Sequence, residues 1–524
     1  MVDRPSKGLS RRDLLKVGGI VGSAALLPSV AASLVSSVSS DSASPGDSAY
    51  LQAGGRPTSG SGVAGEVSDE LPAKIAPCRS TRPNVLLVVL DTVRADHLSC
   101  YGYSRKTTPN LDAFAATGRR YVNVLSPGGC TLPSHASLFT GLPVTAHGAD
   151  FTHQFLDGRG ATIAQELRDA GYQTAAWSCN PYYAGPRCGL DRGFETFGRP
   201  SDAVQMHREL REWFLHAYQP EKPFFIFLNY IEAHAPYCPP AEHMLQWATK
   251  ETRAKWEAKP SESWPRLVDH MVSGLDLFSP EEILEAQDLY DEEIAYLDTK
   301  LGQLFDFFSR NGLGEKTLMV VTADHGEHLN EHHMMEHNFS LYEPIVRVPL
   351  IVRFGDRFPI GEDGRLVQSH DVFPTILEVA EVEWKRQPAH NCESLVGGEG
   401  AGARLAVAEY LVPYLEHIDR VAKSYPRIDC SRFLRSLRAV QVDNMKLILP
   451  SAGEPELYNL AKDPLELRNL AGERSDVVRD LSAKLEQWLK SFEHFRFSPA
   501  AQGELETRTS EQEFRAGRGL GYVR

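Results

Sequence analysis

Three stretches of this chain leave little freedom in how it can fold. Residues 84–90 (NVLLVVL), 223–230 (PFFIFLNY) and 317–322 (TLMVVT) are continuous apolar runs rich in β-branched and aromatic side chains. They show no polar alternation, so each predicts a strand buried on both faces, the situation of a parallel sheet covered by helices. Each run stops at polar chemistry: Asp91 after the first, Glu232 and His234 after the second, Asp324 and His325 after the third. Helical patterns fall between them, over 110–117, over 161–170 ahead of a further strand in GYQTAAWS, and over a long span that starts at Ser279-Pro280. In that span Ser279 and Glu282 have capping-box spacing, apolar residues from Ile283 to Leu304 recur on one face, and Asn311-Gly312 supplies a stop. Strands alternating with helices give an α/β fold, a large mainly parallel sheet flanked by helices. Ligands of such sheets bind just beyond the carboxyl ends of the strands. Asp91, His234, Asp324 and His325 therefore converge on one rim.

The stretch 126–141, SPGGCTLPSHASLFTG, supplies a partner for that rim. A Gly-Gly turn leads into Cys130 and Thr131, Pro133 suits a first helical turn, a short helix is expected over 134–139, and Gly141 ends it. A hydroxyl and a thiol then sit at a helix N-terminus, where free amides and the positive dipole end hold an anion against a nucleophile. An ordinary turn-capped helix shows the same pattern.

Toward the N-terminus, SRRDLLK at 10–16 precedes an apolar, Gly/Ala-rich run over 17–35. This reads as a twin-arginine export signal, with Arg11 and Arg12 as the pair, filling residues 1–36. A Ser/Gly-rich linker over 37–81 follows. The catalytic region is expected over 82–365 and a smaller C-terminal α+β subdomain over 366–498. The latter holds a hairpin in RAVQVDNMKLIL and an amphipathic helix over 477–495. Residues 499–524 form a polar tail. Net charge of -14 excludes nucleic acid as a natural partner. The eight cysteines contain no CxxC pair, and Cys179 with Cys188 is either a small disulfide loop or two buried thiols.

CTLPSHASLFTG resembles the signature of the sulfatase family, a branch of the alkaline-phosphatase superfamily, in which C-x-P-S-R precedes x-x-L-x-T-G. Alignment on Pro133, Ser134, Leu138, Thr140 and Gly141 places Thr131 at the nucleophile position and His135 where the family has Arg. VLDTVRADHLSCYGY, NYIEAHAPYCPP and TADHGEHLNEHHMMEHNFSLYEPIVRVPLIV are similar to further blocks of the family. The resemblance implies metal roles for Asp91, Thr131, Asp324 and His325. It implies substrate contact for His234 and puts His337 near the family's late cationic residue. QSHDVFPTILEVA and ELYNLAKDPLELRNLA match tail motifs, so the likeness spans roughly residues 82–495.

The implied cofactor is one divalent cation, Ca²⁺ or Mn²⁺ by family precedent, with Mg²⁺ or Zn²⁺ also compatible with the ligand set. Threonine cannot become formylglycine, so residue 131 is expected to attack unmodified, with His234, His337 and His135 beside it. The block after Gly171 ends in Cys179 and Pro181 where sulfatases carry sulfate-gripping Lys and His, and Asn180 remains as a polar contact. The expected activity is therefore cleavage of a sulfate or phosphate ester of a small molecule or glycan by an exported hydrolase. Transfer of a phospho group to a glycan or lipid, and an inactive binding protein of the same fold, are the rival readings. His328, His332 and His333 read as a solvated loop or a second metal site, and specificity is expected from the loop over 241–277.

Overall fold

The computed structural model describes residues 71–72, 74–258, 260–397 and 404–496. The export signal, most of the linker and the polar tail expected from the sequence lie outside them.

Ten strands belong to the catalytic region: β1 Asn84–Leu90, β2 Arg119–Leu125, β3 Gln173–Ser178, β4 Thr196–Gly198, β5 Phe224–Tyr230, β6 Thr317–Thr322, β7 His328–Leu329, β8 Met335–Glu336, β9 Leu350–Arg353 and β10 Gly361–Gln368. Eight form one sheet in the order β10-β2-β9-β6-β1-β5-β3-β4. All pairings are parallel except those of β9, which runs against both β2 and β6. The three apolar runs are the three central strands, and every residue of β1, β5 and β6 is buried. Each buried Val, Leu, Ile or Phe there contributes about 1.5–3 kcal/mol, which is why a strand covered on both faces needs no alternation.

The long helix runs over Pro280–Arg310, with the reciprocal Ser279/Glu282 capping box in place and Asn311 as its C-cap. The helix expected over 110–117 is Pro109–Ala115, ending two residues early. The short helix of the Gly-Gly stretch, α1, is longer than expected, Thr131–Thr140. Its N-cap is Cys130, which makes no side-chain cap, so no Ser, Thr or Asp signal marked the start. Thr131 is consequently the first helical residue. Gly141 closes α1 with φ +67, and a Cβ there would lie 2.9 Å from both Cys392 Sγ and Phe373.

A second, antiparallel sheet follows in the order β11-β12-β13-β14, over Leu405–Tyr410, Leu437–Val442, Met445–Pro450 and Glu456–Asn459. The expected hairpin is β12-β13, turning at Asp443 with φ +51. The amphipathic helix is Ser475–Lys490, which seats Leu481 and Leu485 on Val407, Val440, Leu447 and Leu457. All eight cysteines are free thiols, including Cys179 and Cys188.

Candidate active site and metal centre

Asp91 extends from the end of β1, Asp324 and His325 from the end of β6, and Thr131 from the first turn of α1. These are the convergences that strand order predicts. The ligand atoms of Asp91, Asp324 and His325 all lie within 4.8 Å of one another, and all three side chains are buried. Thr131 Oγ1 is 3.3 Å from His325 Nε2. His325 donates Nδ1–H to the carbonyl of Gly326 at 2.9 Å, which fixes the tautomer and leaves the Nε2 lone pair facing Thr131. Gly326 is required for that turn, since a Cβ would sit 2.0 Å from the carbonyl oxygen of Pro344.

The surroundings fit a cation. Asp91 Oδ1 and Asp324 Oδ2 are buried without a hydrogen bond. Their other oxygens are satisfied: Asp91 Oδ2 accepts from Asn180 Nδ2 at 3.0 Å, and Asp324 Oδ1 accepts from the amides of His325 at 2.9 Å and Thr92 at 3.3 Å. One free oxygen on each of two buried carboxylates, aimed at a shared imidazole, is a ligand set rather than a salt bridge. Burial, and next the charge of Asp324, pushes Asp91 up to about 8. Burial pushes Asp324 up to about 7. Thr92, where the family has a second Asp, adopts φ +60 and contributes its amide instead of a carboxylate.

The other expected residues divide. His135 is wholly buried, its Nδ1–H donated to the Thr131 carbonyl at 2.9 Å and its ring edge-on to Phe139 and Phe227. Burial holds it near 4, and its Nδ1 lies 3.5 Å from Asp324 Oδ2, so it supports Thr131 and Asp324 from behind. His234 and His337 meet over the site with ring centroids 5.0 Å apart, and His337 is 4.5 Å from the ring of His325. A cleft lined by Thr131, Asp150, Phe151, Tyr183, His337 and Tyr414 opens above the nucleophile position.

The solvated loop expected at His328, His332 and His333 is not uniform. His328 is fully buried against Ser340 Oγ at 2.7 Å, and His332 stacks on Tyr342 at 3.9 Å. Two carboxylates were not singled out from the sequence at all. Glu327 and Glu336 are completely buried beside His337. Their only sequence signal is position in the segment GEHLNEHHMMEH, dense in Glu and His.

Comparison with known proteins bears on the family and the fold. The family described as Sulfatase matches residues 83–382, and the C-terminal family of N-sulphoglucosamine sulphohydrolase matches 330–493. The multifunctional alkaline phosphatase superfamily protein PehA of Trinickia caryophylli is 26% identical, over 80% of this chain and 98% of its own. The uncharacterized sulfatase YidJ of Escherichia coli is 24% identical, over 74% of this chain and 83% of its own. Among solved structures, phosphonate monoester hydrolase of Agrobacterium radiobacter aligns with a TM-score of 0.58 at 21% identity, over 78% and 95% of the two chains. A structure in complex with its substrate D-glucosamine-2-N,6-O-disulfate aligns at 0.62 and 20%, over 78% and 98%. With a match over more than half of its length, and with Asp91, Asp324 and His325 gathered at the carboxyl ends of the central strands, this chain belongs to the sulfatase family.

Proposed function

We propose that the protein is an exported metallohydrolase that cleaves a sulfate or phosphate ester through unmodified Thr131, with one divalent cation held by Asp91, Thr131, Asp324 and His325. The observation that carries this reading is the contact between Thr131 Oγ1 and His325 Nε2, which ties a helix-terminal hydroxyl to the imidazole grouped with the two carboxylates. A bound cation, Ca²⁺ or Mn²⁺ from the mainly oxygen donor set, supplies charge neutralisation at the ester and a lowered pKa for the hydroxyl.

The chain's own residues do the rest. Free amides of the first turn of α1 receive the ester's anionic oxygens. Thr131 Oγ bonds to phosphorus or sulfur and gives up its hydroxyl proton as the bond to the leaving oxygen breaks, and the leaving oxygen takes up one proton in balance. Water then releases the threonine ester, because Thr131 offers no aldehyde route. His234 and His337, facing the same space, are the residues placed to contact the ester oxygens or the leaving group. Asn180 Nδ2, 3.5 Å from Thr131 Oγ1, holds the hydroxyl's position.

The missing Lys and His after β3 favour phosphorus over sulfate, and the phosphonate monoester hydrolase is a structural neighbour of that kind by name. An N-acetylgalactosamine-6-O-sulfatase at 22% identity keeps a glycan sulfate in view. Phe151, Tyr183 and Tyr414 in the cleft offer flat apolar walls suited to a sugar or aryl ring.

A panel of chromogenic sulfate, phosphate monoester, phosphodiester and phosphonate substrates, each with Ca²⁺, Mn²⁺, Mg²⁺ and Zn²⁺, tests the assignment. Thr131→Ala should lose at least a hundredfold in turnover, Thr131→Ser should retain part, and Cys130→Ala should stay near wild type. An aldehyde at residue 130 by mass spectrometry, or an active Thr131→Ala, would overturn it.

A further inference from the structure

The segment that carries His337 lines two cavities. His337 and Asn338 line the cleft above Thr131, whereas Met334 and residues 339–342 line another. The remaining wall of this second cavity comes mainly from the C-terminal region, with Arg432, Phe433, Arg435 and Glu456. None of these four residues enters the chemistry proposed for Thr131. The cavity holds about 470 Å³ and opens to solvent, a size that small-molecule sites share.

The charges around it do not balance. Among the described residues of the lining, Glu456 is the one carboxylate, and its Oε2 already accepts from the hydroxyls of Tyr342 at 2.6 Å and Tyr458 at 2.8 Å. Its Oε1 lies 3.7 Å from Arg435 Nη2, an ion pair too long for a hydrogen bond. No carboxylate among the described residues reaches Arg432, whose guanidinium instead lies 4.4 Å from the centroid of the Phe433 ring. Such a ring contact steadies the planar fork and leaves its N–H donors unspent. The two guanidiniums are near enough to repel one another. His332, in the same lining, is held against Tyr342 with ring centroids 3.9 Å apart, and its Nε2 is buried without a hydrogen bond. A cation entering this space is repelled. A phosphate or sulfate group, with several acceptor oxygens, fits paired guanidinium forks.

We propose that Arg432 and Arg435, with His332 alongside, form a binding site for a phosphate- or sulfate-type oxyanion, separate from the nucleophile and sharing the segment 334–342 with it as a wall. The oxyanion is either a free ion or a substituent of a sugar-sized molecule, for which Phe339 and Tyr342 supply apolar surface. The site is independent of the ester chemistry assigned to Thr131.

Hydrogen exchange of the full chain in Mg²⁺ buffer, followed by mass spectrometry, reads the two sites separately: peptides over 431–437 report the proposed site and peptides over 128–141 the cleft. Each protein is compared with itself, with and without inorganic phosphate or inorganic sulfate. Either ion should slow exchange over 431–437 severalfold in wild type. Arg432→Gln and Arg435→Gln should each raise the concentration needed by at least about tenfold, with the wild-type circular dichroism spectrum kept. Arg432→Lys should raise it less, because the charge stays and only the fork is lost. A second arm applies glucose 1,6-bisphosphate to Thr131→Ala. Protection over 431–437 at a lower concentration than inorganic phosphate requires marks the oxyanion as a substituent of a larger ligand, and protection at the same concentration marks a free ion. No slowing over 431–437 with any of the three probes, or slowing that survives undiminished in both glutamine variants, overturns the site.

Discussion

The carboxyl groups of Asp91 and Asp324 carry a signature that a cation-free preparation will reveal. Both are raised by burial, to about 8 and about 7, from an ordinary value of 3.8. In the window from about pH 6.5 to 8 the unfolded chain has released these protons and the folded chain still holds part of them. Stability must therefore fall as pH rises, by up to about 1.4 kcal/mol per pH unit for each proton retained. Below that window the buried histidines act oppositely, since His135 and His234 are lowered to about 4 and folding gains as they lose protons in the unfolded chain too. Melting of the chelated protein should drop between pH 6.5 and 8, and Asp91→Asn should flatten the slope. Excess Mn²⁺ should reverse it, because only the ionised carboxylates bind metal. A melting temperature independent of pH in the chelated wild type would show that these groups are not protonated as described.

At the scale of elements, Glu409 joins the antiparallel sheet to the segments on either side of α1. Glu409 of β11 is buried, accepting from the Thr145 amide at 2.8 Å, from the Thr145 hydroxyl, and from Arg438 Nε at 2.9 Å. Its own amide donates to the Pro127 carbonyl at 2.9 Å, four residues before Thr131. Glu409→Ala strands a buried amide and a guanidinium, at a cost of about 2–4 kcal/mol by urea unfolding. A loss under about 1 kcal/mol would mean the sheet is held elsewhere. The strands β1, β5 and β6 and the helix Pro280–Arg310 were legible in the sequence because each signal is contiguous: an apolar run, a period, a capping box. So were Asp91, Asp324 and His325, as the residues that interrupt those runs. Glu327 and Glu336 were not, because nothing local announces that a charged loop folds inward. His328 was misread for the same reason, its burial being set by Ser340, twelve positions on. The early start of α1 escaped because Cys130 offers no cap.

For the molecule as a whole, the export reading has its own test. Replacing Arg11 and Arg12 with Lys should leave the protein in the cytoplasm, and unchanged appearance outside the cell in a fractionation assay would remove the signal assignment. The layout of the central sheet adds a constraint on timing. β1 lies at its centre, yet its neighbours β5 and β6 come far later in the chain, and 232 positions separate Thr92 from the Asp324 carboxylate it binds. A growing chain thus exposes Asp91 at the ribosome long before any partner exists, and contacts of such separation form slowly. Half a site has no grip on an ion. On the proposed metal assignment, only a polypeptide synthesised past residue 325, with its middle strands in register, can retain one, so each bound ion would mark a molecule whose assembly has reached the centre.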